Sequence, residues 1–302
     1  MGLRYEKHFE RFSCTNLPLL RKLLSELLGM FAFVLIASST VASVTFNKDS
    51  SDVFTNSTYD SSEILYINVG IAFGYTIGLY TCIENVGYLN LALTVLFWCF
   101  GKMKWNDMVV YLSAQFIGAM LAEACIYGLY CDEIEQFKDN PMTSLIFSSS
   151  GNSDPFMLAA FEQFLKTMVF TIGVMAVIDE HKDKQEDYPL NTIKPSKSFE
   201  PLMIGLVVFM VGIAFSHYAR FYFNPLQDLS GLIFVAVASL RISMMWLIGQ
   251  LIVPLVGCFI GALIYISVIE NNHQKPVVES TREGEELKNV LDDGSTGNLP
   301  NQ

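Results

Sequence analysis

Two asparagines in this chain stand where side-chain amides could handle a small polar molecule. Asn90 opens "NLALTVLFWCFG" (90–101), and Asn224 opens "NPLQDLSG" (224–231). Each leads an apolar, helix-forming run about half as long as a bilayer crossing. An Asn there caps a helix whose first turn offers unpaired N–H groups and about half a positive charge. Pro225 takes the first helical position after Asn224, where a missing N–H costs nothing. Such parts can donate hydrogen bonds to a neutral, oxygen-bearing solute and repel cations. They serve bond-breaking chemistry poorly. The histidines are His8, His181, His217 and His273, none deep in an apolar run, and no Ser–Asp pair shares a depth. The six cysteines are scattered without zinc or disulfide spacing, so no enzyme, metal or cofactor is expected.

The elements that must hold these asparagines are membrane helices. Of 302 residues, 52% are hydrophobic and 16% charged, and the mean hydropathy is +0.38. Soluble domains carry about a quarter charged residues. The expected fold class is an all-α membrane protein: six transmembrane helices plus two re-entrant half-helices in an inverted repeat around a pore. The spans are read as 23–46, 64–82, 108–131, 157–178, 201–221 and 243–268, and the half-helices as 90–101 and 224–234. Arg4, Lys7, Arg11, Arg21, Lys22, Lys102, Lys104, Lys182, Lys184, Lys194 and Lys197 all fall on one side, which should be cytoplasmic. Loops 47–63 and 132–156 are mainly acidic, and the sequon at Asn56 falls on that opposite side. The net charge of −11 sits in loops and the tail, with no basic cluster for nucleic acid.

The repeat is legible directly. "YLSAQFIGAMLAEACIYGLY" (111–130) aligns with "WLIGQLIVPLVGCFIGALIY" (246–265), setting Leu112, Gln115, Ile117 and Tyr130 on Leu247, Gln250, Ile252 and Tyr265. Asn90 and Asn224, and Glu26 and Glu162, are separated by nearly the same offset. Each copy holds span, span, half-helix, span, so the second copy is inverted, with a site near the midplane. The organisation expected is an N-terminal cytoplasmic arm (1–22), a first repeat (23–131), an extracellular loop (132–156), a second repeat (157–268) and a disordered acidic cytoplasmic tail (269–302).

Across about 23–268 the chain resembles the major intrinsic protein, or aquaporin, family, and within it the aquaglyceroporin branch. The resemblance is carried by "SELLGMFAFVLI", "AFGYTIGLY", "YLSAQFIGAMLAEACIY", "FNPLQDLSG" and "PLVGCFIGALIY". It implies that the paired Asn-Pro-Ala motif stands here as Asn90-Leu91-Ala92 and Asn224-Pro225-Leu226. It implies an outer selectivity filter at Phe73, Gly212, Phe221 and Gln227, with Asp228 as a marker of the glycerol branch. Gly212 and Phe221 resemble glycerol facilitators, where water-selective members usually have His and a small residue. The resemblance further implies that Glu26 and Glu162 brace the pore loops, against a simple snorkelling reading or a Glu162–Lys166 pair. It implies a homotetramer with one pore per subunit. The function expected is passive passage of glycerol, water and other small neutral solutes across a lipid bilayer. The surface acceptor Asn56 fits a plasma-membrane glycoprotein.

Three positions depart from the family pattern. Gln227 stands where Arg is usual, keeping donors but losing charge. Leu91 replaces the first Pro, which should loosen the docking of the two loops, and Leu226 replaces an Ala. These motivate an alternative: an ion- or peroxide-permeable pore, or a non-conducting subunit with an assembly role. Glu123 is expected near the outer end of its helix, snorkelling. His217 is expected at the outer mouth, open both to pH gating and to plain solvation.

Overall fold

The computed structural model describes residues 18–47, 59–82, 87–148, 156–179, 197–217, 224–238 and 244–272. Phe221, Asn56 and most of the terminal arm and tail lie outside the described residues.

Six helices are long and apolar enough to cross a membrane. They are α1 (Pro18–Phe46), α2 (Ser61–Thr81), α4 (Trp105–Leu129), α7 (Phe156–Asp179), α8 (Glu200–Ala214, counted with the 3-10 turn Lys197–Phe199 before it) and α10 (Met244–Val268). Two shorter apolar helices are α3 (Leu91–Cys99) and α9 (Pro225–Val237). Two brief turns of helix, α5 (Cys131–Gln136) and α6 (Pro141–Ser144), follow α4. The order span, span, half-helix, span occurs twice.

Local signals set several ends. Asp60 opens α2 as a capping box: its carboxylate accepts from the Ser62 and Glu63 N–H groups at 2.8 and 2.9 Å, and Glu63 accepts from the Asp60 N–H. The fifth span, read as 201–221, ends its helix at Ala214 among the described residues. Phe215 leaves helical geometry at φ −130°, ψ 67°, which frees the His217 N–H to donate to Glu162 at 2.8 Å. The reading of 132–156 as a plain acidic loop also changes. Its stretch Met142–Ser148 is buried, and the Phe147 carbonyl lies where a Cβ on Gly231 of α9 would stand.

The two repeats pack on one plan. α1 lies against α2 and α4, and α7 lies against α8 and α10. Each half-helix touches the last span of both repeats: α3 contacts α4 and α10, and α9 contacts α10 and α4. α2 against α8 closes the remaining seam. Lipid tails supply no hydrophobic drive between helices, so close backbone approach through small residues must carry the packing. A Cβ on Gly29 would meet the Gly78 carbonyl at 2.7 Å, and one on Gly118 would meet the Leu27 carbonyl at 2.5 Å. In the second repeat, Cβ atoms on Gly257 and Gly261 would meet the Phe164 and Met168 carbonyls at 2.6 and 2.4 Å.

Lys22 and Asp107 form an ion pair at 2.9 Å between the first turns of α1 and α4. Arg21 and Lys22, read as part of the N-terminal arm, thus already belong to α1. This end of the bundle, with Lys102 and Lys104, is its basic face.

Candidate solute path between the half-helices

The N-termini of α3 and α9 meet inside the bundle. Asn90 and Asn224 are both buried, and each takes the N-cap place. The Asn90 side-chain oxygen accepts from the Ala92 N–H at 2.9 Å, and that of Asn224 accepts from the Leu226 N–H at 3.2 Å. Beyond these caps the two amides diverge. The Asn224 Nδ2 donates to the Leu89 carbonyl at 2.7 Å, and its oxygen also accepts from the Leu91 N–H at 3.3 Å. The Asn90 Nδ2 is buried with no partner within the protein. Proline has no N–H, so Leu91 supplies a bond between the repeats that the usual residue cannot make. The expected loosening at this position is therefore offset by a hydrogen bond.

The loop that delivers α3 is held from beneath. Glu26 of α1 is fully buried and accepts three hydrogen bonds on one oxygen: Leu89 N–H at 2.7 Å, Gln115 Nε2 at 2.7 Å and Tyr88 N–H at 3.2 Å. Gln115 of α4 also donates to Thr94 at 3.0 Å, and Thr94 donates to the Asn90 carbonyl at 2.9 Å. Leu89 has φ +45°, a left-handed backbone that a branched side chain rarely adopts. Its N–H is bound to Glu26 and its carbonyl to Asn224, so both flanking peptides are pinned.

The second half-helix has its own brace. Glu162 of α7 accepts from His217 N–H, just before the chain re-enters. His217 itself is exposed. Pro225, Leu226, Gln227 and Asp228 are all buried. Asp228 places a carboxylate in the first turn of α9, at the positive end of its dipole. Both amide atoms of Gln227 are buried and unpartnered within the protein. Lys166 is buried too, one turn along α7 from Glu162. Glu123 is 0% exposed, with Ser38 donating to it at 3.1 Å, so it does not snorkel to a surface.

Of the sequence-predicted filter positions, Phe221 lies outside the described residues, and Phe73 does not meet Gly212. Gly212, near the end of α8, faces α2, but the residue it meets there is Asn68. A Cβ on Gly212 would come within 2.2 Å of the Asn68 side-chain oxygen. Asn68 is 2% exposed and donates to the Ile64 carbonyl at 2.8 Å. Phe73 is 57% exposed and shares an outward stripe with Tyr66, Ile77 and Tyr80. The reason is helical phase. The α2 face toward α8 runs through Asn68, Ala72 and Thr76, and Phe73 is turned about 100° from it. An Asn inside an otherwise apolar span was the signal that sequence reasoning passed over.

On the basic-face side of Asn90 a cavity of ≈ 10 Å³ opens between the repeats, about the room of one water molecule. Its walls come from α2, α3, α7 and α8, with Gly87 and Tyr88 of the re-entrant loop.

Comparison with known proteins agrees with this architecture. The profile described as Major intrinsic protein matches residues 13–265. Aquaporin-9 of Homo sapiens is 27% identical over 290 residues, covering 91% of each chain. Aquaglyceroporin-3 of Trypanosoma brucei brucei is 26% identical over 260 residues, covering 81% of this chain and 77% of its own. The X-ray structure of the aquaglyceroporin from Plasmodium falciparum shares the fold, with a TM-score of 0.68 at 22% identity over 83% of this chain and 97% of that one. With six membrane-length helices, two capped half-helices meeting at their N-termini, and a family match over most of its length, this chain belongs to the major intrinsic protein family.

Proposed function

We propose that the protein is a passive channel for water, glycerol and similar small neutral solutes, with the path running between its two repeats. The observation that carries this reading is a set of buried amide groups with no partner in the protein, at the start of both half-helices: Asn90 Nδ2 and both amide atoms of Gln227. A buried polar atom is costly unless something pairs with it. A solute hydroxyl or a water passing the half-helix ends would pair with these, and the two N-termini would oppose cations. The aquaporin and aquaglyceroporin relatives point the same way.

In this reading Asn68, Gly212 and Gln227, with Phe221, form the outer filter, and Asn68 takes the place first assigned to Phe73. Gly212 leaves room for the Asn68 side chain, and Asn68 and Gln227 give a polyol its polar contacts. Conduction breaks no bond, so no enzymatic role or cofactor is assigned. A homotetramer in the plasma membrane, with both termini cytoplasmic and Asn56 glycosylated, completes the proposal.

The test is swelling of oocytes in hypotonic medium and in isosmotic glycerol, with Gln227→Arg alongside and surface expression verified. Fast entry of glycerol and water is the expected result. Gln227→Arg restores the fixed charge usual in the family, and glycerol and water should both still enter. No entry of either solute would overturn the channel reading. A measurable cation current would overturn its selectivity for neutral solutes.

A further inference from the structure

The cavity beside the re-entrant loop has one wall residue whose placement is unusual. Tyr75 lies midway along α2 and is 1% exposed, although tyrosine carries a hydroxyl that must be satisfied when buried. Its hydroxyl donates to the Tyr88 carbonyl at 3.0 Å. Its ring stands edge-on to Phe33 of α1, with centroids 5.0 Å apart, and edge-on to Phe170 of α7, at 6.2 Å. One side chain of the first repeat is thereby fixed against α1, against the second repeat and against the loop that delivers Asn90. Opposite it the cavity is closed by Val174, Ile178 and Ile204, and on its flanks by Leu79, Leu93 and Phe97. These side chains are apolar, and the space they leave is ≈ 10 Å³.

From this geometry we infer that Tyr75 forms a second size barrier, on the basic-face side of Asn90 and separate from the Asn68–Gly212 contact. The inference rests on the channel reading. Its hydroxyl takes one lone pair of the Tyr88 carbonyl, which leaves that acceptor less open to a passing solute. Its ring fills the width between α2 and α7. A solute that clears Asn90 must then cross a narrow, mostly apolar neck with few hydrogen-bond partners, which favours water over a three-carbon polyol. The outer contact sorts by polar recognition, and the Tyr75 neck sorts by girth.

The experiment measures water and glycerol permeability of purified protein in liposomes by stopped-flow light scattering. Tyr75→Val removes the ring, and the glycerol-to-water ratio should rise by about tenfold, because lining and diameter set such ratios. Val174→Phe narrows the same neck from α7 without touching Tyr75, and the ratio should fall. Tyr66→Val, on the exposed stripe of α2, should change neither permeability. A conducting wild type whose ratio is unmoved in both Tyr75→Val and Val174→Phe would overturn the inference alone. Folded protein that conducts in neither wild type nor Tyr75→Val would overturn both the inference and the channel reading.

Discussion

Asn90 and Asn224 hold equivalent places in the two repeats, and their amides are used differently. Asn224 ties the repeats together: its donor holds the Leu89 carbonyl, and its oxygen caps α9 and takes the Leu91 N–H. Asn90 caps α3 and leaves its donor open. The supports differ in the same sense. The first loop rests on three hydrogen bonds to one Glu26 oxygen, with Gln115 linking that carboxylate to Thr94. The second half-helix starts at a Pro and carries Asp228 in its first turn. An inverted repeat therefore need not divide labour evenly. Of the two asparagines, one joins the repeats, and the other keeps an open donor.

The largest effect should come from Glu26→Ala. It leaves the Tyr88 and Leu89 N–H groups and the Gln115 amide without their buried acceptor, a loss of about 3 kcal/mol or more by the usual cost of an unmade buried hydrogen bond. Detergent-solubilised protein should unfold at clearly lower temperature, with no glycerol entry. Equal stability of variant and wild type would mean that the first loop does not depend on Glu26.

Replacing each asparagine in turn by alanine sharpens the comparison directly. Asn224→Ala should lower stability by about 2 kcal/mol and loosen both loops, while Asn90→Ala should cost about 1 kcal/mol, the value of one cap. Glycerol permeability should fall in both, and per unit of lost stability it should fall more in Asn90→Ala. Identical behaviour of the two variants in parallel thermal and flux assays would mean that the open donor has no special use.

The smallest change is expected from Leu91→Pro, which restores the commoner residue at a helix position where Pro is tolerated. It deletes one long hydrogen bond of 3.3 Å to Asn224. The loss should be under about 1 kcal/mol, with glycerol flux within about twofold. A stabilised variant would show that this bond contributes nothing.

Much of this was legible in the sequence, for physical reasons. Membrane thickness forces spans of a set length, and the shared offset of Gln115/Gln250 and Asn90/Asn224 exposes an inverted repeat. What stayed hidden depended on rotation about a helix axis or on where backbone leaves a helix. Phe73 and Asn68 sit in the same apolar span, and only the α2–α8 contact decides which one meets Gly212. Glu123 reads as a terminal residue until α1 covers it with Ser38. The end of α8 at Ala214 goes with the His217–Glu162 bond, a contact 55 residues apart. Periodicity carries no record of such contacts.

The backbone at Leu89 bears on the order in which this protein is made. Its left-handed turn is held by Glu26 from the first repeat and by Asn224, which lies 135 residues further on. At synthesis rates of about 5–20 residues per second, Asn224 emerges roughly 10 s after Leu89. Until then the strained loop has only one of its two anchors. The first re-entrant segment must therefore wait, half set, in the membrane, and the pore takes its final form only when the second repeat arrives to complete it.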